Sequence, residues 1–192
     1  MKFFFTILSF GLTLSGFAQL SSRPIADRII VKTNILSFIA QRPTLTVEKL
    51  FTKSSSLEVS FVQGELNSFL LTDHYAYSGM LIRAKKYMSD VDLGKAIPYA
   101  ALYVGNLKRS FQTSGRVDNS GYFGYSSTDF SANSLRGGGS LGISYIAKNK
   151  LVIDGFTSLG YGKYTKIYKP DSNKNSNGYL DAQIWFSLGY CF

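Results

Sequence analysis

From Leu180 to Phe192 the chain alternates without a break. Leu180, Ala182, Ile184, Phe186, Leu188, Tyr190 and Phe192 are apolar and stand two apart, and Asp181, Gln183, Trp185, Ser187, Gly189 and Cys191 fill the places between. Successive side chains of a strand point to opposite faces, so this period of two makes one face apolar and the other polar or small. Strands of soluble proteins average about 5–6 residues. Strands that cross an outer membrane need about 9–11, with alternating faces. The length of the run therefore favours an antiparallel sheet with lipid on one side.

The same rhythm recurs upstream. In Leu151 to Thr165, Leu151, Ile153, Leu159 and Tyr161 alternate with Asp154, Ser158, Gly160 and Gly162; in Leu135 to Ala147, Leu141, Ile143 and Tyr145 alternate with Arg136, Gly138, Ser140, Gly142 and Ser144. Ser56 to Gly64 and Tyr75 to Tyr87 behave alike, and Arg28 to Ile39, Thr44 to Phe51 and Ile97 to Phe111 alternate less cleanly. These segments predict eight strands. Thr52 to Ser55, Met88 to Lys95 and Ala147 to Lys150 are short connections, whereas Gln112 to Asn133 and Tyr168 to Asn177 are long and rich in Gly, Ser and Asn. Short turns at one end and long loops at the other are the pattern of a closed, up-and-down transmembrane β-barrel, with the turns periplasmic.

The amino end points to export. Lys2 is a short positive region, Phe3 to Leu14 an apolar one, and Gly16-Phe17-Ala18 offers small residues before a cut at Gln19. This reads as a secretory signal peptide over residues 1–18, followed by one barrel domain over 19–192. The apolar run is shorter than the roughly 20 residues of a membrane-spanning helix. Cys191 is the only cysteine, so neither a lipid-anchoring cysteine after the cut nor an internal disulfide is available. The net charge is +9, a value that suits an anionic surface such as lipopolysaccharide rather than nucleic acid in an exported chain.

Alternation places Lys32, Asn34, Glu48, Glu58, Arg83, Lys85, Asp154, Asp181 and Gln183 on inward faces. The interior of an eight-stranded barrel is just wide enough to be filled by side chains. Charges there must pair to offset desolvation, which predicts a structural salt-bridge network of Lys32, Glu48, Glu58, Arg83, Lys85, Asp154 and Asp181. The competing reading, a proton or ion path, needs continuous water. A hydrolase would use His74, the only histidine, as base for Ser78 or another rim serine, but nucleophile and base must lie within hydrogen-bond reach. The His-x-Ser spacing of lipid A deacylase barrels is absent, because Tyr75 and Ala76 follow His74. Arg136-Gly137-Gly138-Gly139-Ser140 lacks the Gly-Lys-Ser/Thr ending of a phosphate loop, and no His, Cys and carboxylate group has metal-ligand spacing. We read no catalytic, metal or cofactor site and no enzyme. Tyr122, Phe123, Tyr125 and Phe130 place four aromatics in a polar, outward loop. They suit either an adaptable binding loop or the upper ends of long strands with an interfacial aromatic girdle.

Phe186, Leu188, Tyr190 and the terminal Phe192 resemble the signal by which the outer-membrane assembly machinery recognises barrels. Val31-Lys32-Thr33-Asn34-Ile35-Leu36, then Thr46-Val47-Glu48-Lys49-Leu50-Phe51, then Gly79-Met80-Leu81-Ile82-Arg83, resemble an uncharacterised family of small outer-membrane barrels of Gram-negative bacteria. That resemblance implies an all-β barrel in the outer membrane and carries no known activity. The expected role is structural or surface-interacting, with lipid, lipopolysaccharide and the assembly machinery as partners. The alternatives are a lipid-modifying enzyme and a soluble, lipocalin-like periplasmic barrel; outward Leu, Ile, Phe and Tyr on long strands disfavour the latter.

Overall fold

The computed structural model describes residues 28–38, 42–69, 72–114, 116–117, 124–125, 128–169 and 177–192; the signal peptide expected over 1–18 lies outside them. The strands are β1 (Ile29–Asn34), β2 (Leu45–Thr52), β3 (Ser55–Phe69), β4 (Thr72–Tyr87), β5 (Ala96–Thr113), β6 (Arg116–Val117), β7 (Gly124–Tyr125), β8 (Thr128–Ile146), β9 (Leu151–Lys169) and β10 (Gly178–Cys191). Eight of them close into an antiparallel barrel in the order β1-β10-β9-β8-β5-β4-β3-β2, and β6 pairs with β7 outside it. No helix among the described residues is long and apolar enough to cross a membrane, which says nothing of crossing by strands.

The faces follow from the alternation. Leu102, Leu141, Leu159, Leu180 and Ile184 are 61–73% exposed on the outside, while the intervening residues are buried in the lumen. Each full outward Leu or Ile would cost a water-soluble barrel free energy that lipid would not exact. At the turn end, Gly94 and Lys150 adopt the left-handed backbone that tight reversals use (φ 81° and 69°). Residue 192 returns to this end, where the Phe192 amide donates to the Ile29 carbonyl at 2.8 Å. The lumen is stoppered there by Ile30, Leu50, Tyr87, Ile97, Val152 and Cys191, all at most 3% exposed.

Two expectations about the elements are corrected. The segment Arg28 to Ile39 does not run on as a strand: β1 stops at Asn34, and Ile35–Phe38 forms a 3-10 turn. Local side-chain bonds outcompete the ladder, since Asn34 Oδ1 accepts the Leu36 amide (3.1 Å) and the Ser37 hydroxyl donates to the Asn34 carbonyl (2.5 Å). The connection Gln112 to Asn133 is also shorter than its composition suggests. Gln112 and Thr113 belong to β5 and Thr128 to Asn133 to β8, because Phe111 and Phe130 are cross-strand partners that stack with centroids 5.1 Å apart. The polar sequence conceals this hairpin extension, whose inward aromatics stabilise it.

Candidate functional site

Above the apolar stopper lies a layer of ions contributed by five strands. Lys32 of β1 donates to Glu48 of β2 (2.6 Å), to Glu58 of β3 (2.7 Å) and to Asp154 of β9. Lys85 of β4 reaches the same three carboxylates, at 3.1, 2.7 and 2.7 Å respectively, and Arg83 pairs with Glu58. Three cations thus face three anions, all with side chains at most 1% exposed. The remaining lone pairs are used as well: Ser56 (2.5 Å) and Tyr87 (2.6 Å) donate to Glu48, and Tyr99 donates to Asp154 (2.8 Å). The Arg83 guanidinium lies 3.9 Å from the Phe156 ring centroid, and Phe156 stacks on Trp185. A neutral layer whose carboxylates are all hydrogen-bonded is how buried charge offsets the desolvation penalty; Arg83 Nη2 alone in it is left without a hydrogen-bond partner.

Glu48, Glu58 and Asp154 bring carboxylate oxygens within 4.8 Å of one another, as a metal site would. The two lysine ammonium groups already occupy the position a cation would take, so the trio is read as the anionic half of the ion layer.

Asp181 does not join this layer. It lies further towards the loop end, 3.4 Å from Arg136 and within bonds of Tyr103 (2.8 Å) and Gln183 (2.7 Å). The sequence-based network omits Arg136 and the tyrosines, although Arg136 shares the inward face of its strand with Gly138 and Ser140, and Tyr99 and Tyr103 stand at the even spacing of a lumen face. Phenol hydroxyls on that face are a legible signal of a carboxylate to cap.

The expectation of a lumen filled throughout is corrected too. Its outer half holds a cavity of about 760 Å³, lined by Tyr75, Tyr77, Leu107, Arg109, Arg136 and Tyr179 among others. Large side chains crowd the turn half, whereas in the wall around the outer half β1 and β2 are absent, and fewer inward residues are left to fill the space.

The rim residues are placed as follows. His74 Nδ1 bonds Asn67 Oδ1 (2.8 Å) and its Nε2 lies 3.8 Å from Glu65. Ser78 is four residues along the same strand face, about 13 Å away at the rise of a strand, so the two do not form a nucleophile and base pair. Phe130 is 7% exposed and turned into the barrel against Phe111 and Tyr164, which removes it from the outward aromatic loop and from any lipid-facing girdle. Tyr122 and Phe123 lie outside the described residues; Tyr125 pairs with Arg116 in β7. Phe186, Leu188 and Tyr190 lie on the outward face of β10, and the Tyr190 and Phe192 rings meet edge to face at 5.1 Å.

No protein-family model matches the sequence, and no curated protein does. Among solved structures the chain resembles neisserial surface protein A, NspA (13% identity, TM-score 0.50, covering 86% of this chain and 94% of that one). It also resembles the N-terminal β-barrel domain of Pseudomonas aeruginosa OprF (11%, TM-score 0.47, 86% and 96%). A third similar structure is Ail, the attachment invasion locus protein of Yersinia pestis (15%, TM-score 0.43, 86% and 96%). The likeness to NspA is one of fold: a small, closed, eight-stranded barrel of the outer-membrane type.

Proposed function

We propose that the chain is an integral outer-membrane protein of a Gram-negative bacterium, a closed and non-conducting barrel whose loop end serves surface interaction. The observation that carries this reading is the pairing of an outward belt of exposed Leu and Ile with a lumen sealed by two successive layers, the apolar stopper and the neutral ion layer. A belt of that kind suits lipid, and a lumen so closed offers no water path at the turn end. The turns face the periplasm and the loops the exterior, the orientation usual for such barrels. Recognition then falls to the loop end, where loops on a rigid scaffold ordinarily carry it. The lysines of that end, Lys108 and Lys166 among them, are exposed and suit phosphate-bearing lipopolysaccharide, and the attraction should weaken with salt. Among the described residues His74 is engaged by Asn67 and Glu65 and by no serine, so a binding role is favoured over the lipid-modifying one.

The test is cell fractionation followed by loop replacement. The folded protein should extract with outer-membrane detergents and give no ion current in planar bilayers. Replacing residues 114–127 with a Gly/Ser linker should preserve assembly and lower lipopolysaccharide or cell-surface binding. A stable single-channel current would refute the sealed lumen; binding unchanged by the replacement would assign the loop a purely connecting role.

A further inference from the structure

Among the described residues the barrel wall is interrupted in its loop half. The β1–β10 ladder ends at the pair Asn34 and Ser187, and the β2–β3 ladder ends at Leu45 and Phe61, yet β10 continues to Gly178 and β3 to Phe69. Among the described residues no strand pairs with these two facing edges. A small clasp stands between them instead: the Asn34 amide donates to Thr44 Oγ1 (2.9 Å), the Thr44 amide donates to Ser37 Oγ (3.1 Å), and Asn34 Oδ1 accepts the Phe186 amide at 3.3 Å.

The outer cavity runs through this interruption. Its lining includes the inward Tyr179, Asp181 and Trp185 and also Leu180, Ala182 and Ile184, which sit on the opposite face of the same strand. A space that touches both faces of β10 passes around its unpaired edge, so the cavity opens sideways. Leu180 and Ile184 beside the opening are 71% and 73% exposed and belong to the outward apolar belt. What enters by this route is dissolved in the membrane, because the opening lies beside that lipid-facing apolar belt.

The inner end of the cavity selects for a negative head. Arg136 is balanced by Asp181, but Arg109 has no ion pair among the described residues; it stacks 3.7 Å from the Tyr179 ring centroid and hydrogen-bonds the Tyr164 hydroxyl. Nε of Arg109 and Nε of Arg136, both donors, are buried without a hydrogen-bond partner, and Arg136 is only 7% exposed. Unsatisfied donors beside an uncompensated cation are costly unless an acceptor fills the site. The apolar part of the lining, Val62, Leu66, Leu107 and Trp185, suits a hydrocarbon chain. A volume of about 760 Å³ is within the usual range of small-molecule sites.

We propose that this side-opening cavity binds a single-chain anionic amphiphile drawn from the membrane, its carboxylate or phosphate head at Arg109 and Arg136 and its chain leaving past the edge of β10. The proposal rests on the barrel standing in a membrane, so insertion of the full chain into phosphatidylcholine vesicles is established first by resistance to carbonate extraction. Failure at that step refutes the outer-membrane reading; failure at the next refutes only the site.

Trp185 is the chain's single tryptophan and lines the cavity, so a brominated fatty acid that enters will quench it. Dibromostearate added to the vesicles should quench saturably, while its uncharged methyl ester and dibrominated phosphatidylcholine should quench weakly. Palmitate or lysophosphatidylglycerol should relieve the quenching, and whichever does so identifies the head as carboxylate or phosphate. Arg109→Gln should raise the half-saturating concentration by about tenfold or more, the loss expected of one charge-assisted bond, and Arg109→Lys should recover part of it. Equal quenching by acid and methyl ester in the unmodified protein would overturn the proposal without recourse to any variant. So would quenching that neither competitor relieves, or a folded Arg109→Gln variant with unchanged saturation.

Discussion

Replacing Lys32 by Met removes one cation from a layer of three cations and three anions while keeping the length of the side chain. Glu48, Glu58 and Asp154 then share only Lys85 and Arg83, and one buried negative charge is left uncompensated. Breaking a buried ion pair in this way costs about 3–5 kcal/mol, two to nearly four powers of ten in the folding equilibrium. The structure supplies its own control. Arg42 and Glu65 approach as closely, at 2.8 Å, but are 47% and 38% exposed, so Arg42→Met should cost no more than about 1 kcal/mol. Asp154→Leu alone should resemble Lys32→Met, whereas the double variant restores neutrality, with Lys85 and Arg83 facing Glu48 and Glu58. Its cost should fall short of the sum of the single variants by about 1–3 kcal/mol. The assay is equilibrium urea unfolding in lipid vesicles, read by Trp185 fluorescence with gel mobility as a check on assembly. Strictly additive single costs below about 1 kcal/mol would refute the argument, since that is how solvated pairs behave.

Ile184→Arg, at a position 73% exposed on the outer face, should cost about 2–4 kcal/mol in lipid and much less in a detergent that lets water reach it; a cost independent of the surrounding lipid would refute its placement in the belt. Deletion of Phe192 should lower the level of assembled protein in cells, because its ring packs against Tyr190 and its amide closes onto Ile29; pulse-chase heat-modifiability measures this, and undiminished assembly would leave the residue no recognition role.

The legible part of this molecule is the part governed by a short period. Side chains alternate along a strand whatever its neighbours do, so the outward Leu180 and Ile184 and the inward Asp181 and Lys85 can be assigned from spacing alone. Ladder partners are another matter, since they depend on residues far apart in the chain. That Lys32 meets Asp154, 122 residues away, while Asp181 meets Arg136 instead, follows from the stagger of the closed barrel, which no spacing encodes. The interruption between β10 and β3 was obscured for a different reason. The Asn34 to Ser37 segment has the apolar character of a continuing strand, and only the competition of Asn34 and Ser37 side chains with the backbone turns it aside. That local choice has a distant consequence: by ending β1 early it leaves the β10 edge without a partner strand among the described residues, along the cavity that Arg109 and Arg136 line. Extending β1 by replacing Asn34 with Thr and Ser37 with Val should therefore strengthen the wall and close the opening to the brominated fatty acid together. Gain of one without the other would mean that the clasp and the cavity are independent features.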